Sequence, residues 1–184
     1  MSDTRQDILS LGDSLIRQRG YNAFSYQDIS GKLGIKNAAI HYYFPKKSDL
    51  AIHIIRATHS RLSSLEDSNK SAPALQRLKA VIETYTVSHK ENKVCLMGAF
   101  ASEFFSLDEN VQQELRTVAA DIHKLVTTIL ADGKKNGEFR FKEVPKVKAM
   151  LVITNLLAGL QIERITGKDE FTVIQQSIIK DLTT

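Results

Sequence analysis

Apolar residues recur along this chain at intervals of three and four, and only Pro45, Pro73 and Pro145 punctuate the pattern. A side chain returns to one face of an α-helix after about 3.6 residues, so this spacing predicts an all-α protein. Ile8, Leu11, Leu15 and Ile16 make the apolar face of a first helix, which Gly20 stops. A second, short helix is expected to start at Ser25, whose hydroxyl can cap it while Asp28 answers as in a capping box. It turns Ile29 and Leu33 inward and ends at Gly34. A third covers about residues 37–44 and is closed by Pro45; Lys47 and Ser48 open a fourth through Leu50, Ile54 and Ile55. The Ser-rich stretch SSLEDSNKSAP at 63–73 reads as a junction between two modules. Further helices are expected at about 73–91, 96–106, 108–134, 144–166 and 168–182, with a break in GKKNGEF at 133–139.

Composition narrows the class. With 184 residues, 42% of them hydrophobic, the chain can bury one sizeable core or carry a small module beside a larger one. A single cysteine, Cys95, excludes an intramolecular disulfide and fits a reducing compartment. No basic start followed by an apolar block opens the sequence, and the apolar run at 149–160 is shorter than the ~18–20 residues of a membrane span. A cytoplasmic protein without a membrane partner is expected. Enzyme chemistry would need a nucleophile with its base, a phosphate loop or a metal cluster, and none is visible. The five histidines show no metal-ligand spacing with Cys or acids, so neither a metal nor another cofactor is expected.

Three short helices with a tight Gly between the second and third describe a helix-turn-helix, whose last helix enters the DNA major groove. The basic excess lies in this part: residues 1–60 hold eight Lys/Arg against five acids. Within IKNAAIHYYFPKK at 35–47, turning about 100° per residue from Ile40 puts Tyr43 and Phe44 on its side, the expected core face. Ala38, Ala39, His41 and Tyr42 fall on the opposite side. Small residues at the centre of that face let the backbone approach base edges, while the rings reach phosphates. Aromatics at helical spacing are most often core, and that reading is kept for Ile40, Tyr43 and Phe44. Lys46 and Lys47, at the start of the next helix, lie where a helix N-terminus and an ammonium both favour phosphate.

The run GYNAFSYQDISGKLGIKNAAIHYYFPKKSDL at 20–50 resembles the DNA-binding domain of the TetR family of transcriptional regulators, matching at Gly20, Tyr21, Ser25, Asp28, Ile29, Gly34, Phe44, Lys47 and Leu50. Lys36 stands where the family usually has Ser or Thr, His41 where Tyr is commoner, and Asn37 where Lys or Arg is frequent. The resemblance implies a DNA-binding domain over residues 1–50, with its motif at about 25–44, and a larger helical ligand-binding and dimerisation domain over 51–184. It also implies that Ser25, Gln27, His41, Tyr42 and Lys47 hold phosphates while Lys36, Asn37, Ala38 and Ala39 lie nearest the bases. The expected function is a ligand-responsive repressor, released by a small-molecule inducer, that binds a palindromic double-stranded operator as a homodimer. Alternatives are a regulator sensing electrophiles or oxidants through Cys95, or a DNA-binding adaptor without a ligand.

The segment NKVCLMGAFASEFF at 92–105 resembles a Gly-Cys-Leu-x-Gly stretch of one branch of the family, with Val94 replacing the first Gly. Cys95, Met97, Phe100, Phe104 and Phe105 can line an apolar pocket, although Met and Phe at this spacing are usually core. Tyr85, His89, His123 and Asn155 are candidate polar groups for it. Near the chain end Val147, Met150, Leu151, Leu157, Leu160 and Ile165 are followed by Phe171, Ile174, Ile178 and Leu182. Two such helices can bury each other or pair with a second copy in a four-helix arrangement, the expected dimer contact.

Overall fold

A computed structural model describes residues 3–184, which form nine α-helices and one short 3₁₀ turn and no strand. In order these are α1 (Thr4–Arg19), α2 (Tyr26–Leu33), α3 (Asn37–Tyr43), α4 (Lys47–Asn69), α5 (Ala74–Lys90), α6 (Leu96–Ala101), a 3₁₀ turn (Phe104–Ser106), α7 (Glu109–Lys135), α8 (Pro145–Thr166) and α9 (Glu170–Thr183). The chain groups into two compact units. One contains the residues up to Ser60 together with Leu96–Val118, the other Arg61–Cys95 and Ala119–Thr184. The first therefore gathers more of the chain than an N-terminal stretch ending at residue 50.

In the first unit, the expected apolar positions meet: Ile8, Leu15 and Ile16 of α1, Ile29 of α2, Ile40 of α3, Phe44, and Leu50 and Ile55 of α4 are all fully buried. Each such side chain contributes about 1.5–3 kcal/mol relative to exposure. Asp3 caps α1 by accepting the Arg5 N–H. The α2 start follows the expected capping box: the Asp28 carboxylate accepts both the backbone N–H and the hydroxyl of Ser25, each at 2.8 Å. Gly34 ends α2 with φ +66°, a left-handed conformation that Gly adopts without a Cβ penalty.

The second unit is built on one cluster of α5 (Leu78, Val81, Ile82, Tyr85), α7 (Leu125, Val126, Ile129, Leu130), α8 (Val152, Leu156, Leu160) and α9 (Phe171, Ile178, Leu182), with Phe139 among them. Gly133, inside α7, is required by packing. A Cβ there would lie 2.1 Å from the Phe139 ring, so the ring occupies the space that Gly leaves. Next to Phe139, the Glu138 carboxylate accepts the Ala74 and Leu75 N–H groups, both at 3.0 Å, and so caps α5.

Three local expectations need correction. The polar stretch at 63–73 is mostly helix, because α4 continues to Asn69. Its serines lie on the exposed side, Ser68 donating to the Ser64 carbonyl, while Leu62 and Leu65 pack on the second unit's core. The helix expected at 96–106 is split into α6 and the 3₁₀ turn. Tyr43, expected in the core, is 37% exposed and meets Tyr42 edge-on. The apolar residues of α8 divide between two faces. Ala149, Val152, Leu156 and Leu160 point inward, whereas Val147, Met150, Leu151, Ile162 and Ile165 are exposed.

Candidate nucleic-acid interface

The exposed side of α3 rests on a fixed underside. Ile40 and Phe44 are fully buried, and the Phe44 ring lies below the Arg5 guanidinium, 5.3 Å from its centroid, and 5.5 Å from the His53 ring. Tyr26, at the start of α2, reaches across the motif: its hydroxyl lies 2.8 Å from the Phe44 carbonyl and 2.7 Å from that of Lys46, sharing its proton between them. Burial pushes the Tyr26 pKa well up, so this donor stays protonated. The end of α3 is thus tied to α2 by side chain as well as by packing.

On the outer side Lys36, Asn37, Ala38, His41 and Tyr42 are exposed, Tyr42 at 81%, and Ala39 is half-buried. Lys36 takes the N-cap position in an extended conformation, with no side-chain cap. His41 is exposed but oriented: its Nδ1–H donates to the Pro45 carbonyl at 3.2 Å, and its ring meets Tyr26 edge-on at 4.9 Å. That leaves Nε2 for an outside partner. Ser25 and Gln27 are exposed at the start of α2, where the positive end of the helix dipole favours an anion. Asp28, beside them, is held below the usual carboxylate range chiefly by the Ser25 backbone and hydroxyl, with Arg19 nearby.

Lys47 is placed differently from the others. It is half-buried, its ammonium lies 4.7 Å from the Tyr21 ring centroid and 4.2 Å from that of Phe24, and it donates to the Phe24 carbonyl. Desolvation lowers its pKa. It braces the turn at 20–24, while Lys46 stays exposed. The same turn is held by a residue that sequence reading passed over. Glu103 accepts the Asn22 N–H at 2.9 Å, the Asn22 amide donates to the Ser106 hydroxyl at 3.1 Å, and Tyr21 packs on Phe100. Eighty-one positions separate Asn22 from Glu103, so no local signal could have joined them. Tyr26 carried a local signal, as an aromatic next to the Ser25 cap.

The candidate pocket residues do not converge within one unit. Met97, Phe100 and Phe104 belong to the first unit, where Phe100 is buried and Phe104 packs on Phe105 and Arg116. Tyr85, Cys95, His123 and Asn155 belong to the second. Tyr85 is buried, its hydroxyl pKa raised by burial and then by Cys95, and Cys95 is half-buried against the core. The His123 ring bonds to the Lys146 carbonyl through Nε2 at 3.0 Å, and Asn155 is exposed.

A short α2, a tight Gly turn and a third helix anchored on one side and open on the other define a helix-turn-helix protein of the all-α class. Known proteins agree. Residues 8–54 match the description "Bacterial regulatory proteins, tetR family", and residues 74–173 match "Tetracyclin repressor-like, C-terminal domain". The chain belongs to the TetR family, and it is a DNA-binding transcriptional regulator. It is 26% identical to the HTH-type transcriptional repressor DhaR of Mycobacterium sp. (strain GP1), over 87% of this chain and 83% of that protein. A TetR transcriptional regulator from Legionella pneumophila has the same fold at TM-score 0.86 and 30% identity, covering 99% of this chain and 98% of that one. The fold also matches FadR from Bacillus subtilis, solved in complex with stearoyl-CoA, at TM-score 0.73 and 16% identity over 97% of each chain.

Proposed function

We propose that the chain is a ligand-responsive repressor that binds a palindromic operator as a homodimer. The observation that carries the reading is the division of α3: Ile40 and Phe44 fully buried, Tyr42 81% exposed, and alanines between them on the open side. Ala38 and Ala39 bring the backbone close to base edges, and Lys36 and Asn37 supply hydrogen-bonding groups there. Ser25, Gln27, His41 and Tyr42 contact phosphates. Lys46 adds an exposed charge, and Lys47 supports the interface by holding the turn at 20–24. Residues 1–50 form the DNA-binding domain in the functional sense, with 51–184 serving ligand binding and dimerisation.

The dimer contact is the exposed apolar side of α8, Val147, Met150, Leu151, Ile162 and Ile165, continued by Val173 of α9. By length and composition α8 is also apolar enough to cross a membrane, but its other side is packed in the core. Pairing of two copies covers the open side and fits a soluble protein of the cytoplasm. The inducer is a small molecule, for which Tyr85 and Cys95 provide a buried hydroxyl and a thiol. Its binding acts by changing the separation of the two recognition helices. Fluorescence anisotropy with duplexes carrying inverted half-sites tests the reading. Tight binding is expected with half-site centres about one helical turn apart, and weak binding when the spacing is changed by about half a turn. Equal affinity for both spacings contradicts a two-fold dimer on a palindrome.

A further inference from the structure

We propose that His89, Asp169 and Glu163 form a binding site for a borderline first-row divalent cation such as zinc(II), with the first two as ligands and the third as the group that orients them. The three come from the last turn of α5, the cap of α9 and the last turns of α8, all in the second unit. Their ligand atoms lie within 4.8 Å of one another. His89 lies 74 positions before Glu163, so no local spacing pattern joins it to the two acids.

The arrangement is specific at the level of single atoms. His89 Nδ1 lies 2.9 Å from Glu163 Oε1, so the Nδ1–H donates to that carboxylate and Nε2 is the ring nitrogen turned away from it. The other Glu163 oxygen accepts the Phe171 N–H at 3.1 Å, which fixes the carboxylate. The His89 ring is stacked on Phe171, centroids 5.3 Å apart. A carboxylate holding the far nitrogen of a ligating imidazole is the common support of metal-bound histidines. Nε2 faces Asp169 Oδ1 at 4.0 Å. That is too long for a hydrogen bond. Two donors on one tetrahedral zinc ion lie about 3.4 Å apart, so closing the gap needs a shift of about half an ångström. Asp169 can supply it: its side chain is 62% exposed, and while Oδ1 accepts the Thr172 N–H to cap α9, Oδ2 is a second donor atom. One imidazole and one carboxylate suit zinc, cobalt or nickel better than magnesium, and water completes the coordination.

The site is independent of the DNA reading and is tested without DNA. Zinc is titrated calorimetrically into the full chain after chelator treatment, in the wild type, His89→Gln and Asp169→Asn. Asn caps a helix as well as Asp, so the last variant keeps the fold while removing a charged ligand. Wild type is expected to bind one equivalent with a raised melting temperature. Asp169→Asn is expected to melt like wild type without metal and to bind zinc at least tenfold more weakly. Cobalt(II) should broaden the His89 ring signals in NMR spectra before those of the other histidines. Undiminished binding by Asp169→Asn, broadening that starts at another histidine, or no saturation by about 1 mM zinc overturns the proposal.

Discussion

His53 shows how a single side chain can carry a pH dependence through its neighbours. Burial, then Arg5 and Arg56, push its pKa below the ordinary 6.5, with Asp49 opposing. Its Nδ1 lies 3.2 Å from the Arg5 guanidinium, an arrangement that needs the neutral ring. The folded state therefore binds fewer protons here than the unfolded chain. The contribution of His53 is complete above pH 6.5 and is lost as the pH falls from there through the lower folded value. An NMR titration should find the His53 midpoint below 6.5 in wild type; a midpoint above it contradicts the placement against Arg5. At this scale the sequence was legible where one face decides. Ile40 and Phe44 could be assigned to the core from periodicity alone. Tyr43 could not, because it sits at the edge of that face, and whether the edge is covered depends on what packs beside a seven-residue helix. The position of Lys47 at a helix start points to phosphate, whereas its ammonium is drawn inward by two rings and a carbonyl that periodicity does not display.

Among the elements, α7 shows a helix whose end is set by a side chain beyond it. Phe139 folds back on Gly133, and the Glu138 and Phe139 N–H groups both donate to the Gly133 carbonyl, at 2.8 and 3.0 Å. Gly133→Ala adds a methyl group into the ring and should destabilise the protein by about 1–3 kcal/mol despite the better helix propensity of Ala. Thermal or urea unfolding measures it, and a stabilised variant contradicts the packing. The sequence places a helix end and a break over 133–139, and α7 ends inside that stretch, at Lys135. The helix persists because Gly is tolerated inside a helix when something fills the space it leaves. The polar run at 63–73 reads as a junction in the sequence but is helical up to Asn69. Serines on one side of a helix look like a loop until Leu62 and Leu65, spaced three apart, are seen to pack.

At the level of the whole molecule, the apolar face of α8 and the open face of α3 make separate claims. Replacing Met150 and Ile162 together by Lys puts two charges into the proposed dimer contact. Light scattering coupled to size exclusion should then report a monomer in place of a dimer, with helicity retained because both positions are exposed. A variant that remains dimeric removes α8 from the contact. The all-helical class and the recognition helix could be read from spacing and from thirty residues of family pattern. The grouping of residues 96–118 with the N-terminal helices could not, since it rests on pairs such as Glu103 with Asn22 and Glu114 with Arg56 that lie far apart in the chain. The most direct test of the DNA-binding face is a salt series of operator affinity for wild type and Tyr42→Ala. The two proteins should unfold at the same temperature, and Tyr42→Ala should bind about tenfold or more weakly, about 1.4 kcal/mol, with the wild type losing affinity steeply as salt rises. Equal affinity of the two proteins, or wild-type binding that ignores the DNA sequence, would contradict α3 as the reading head.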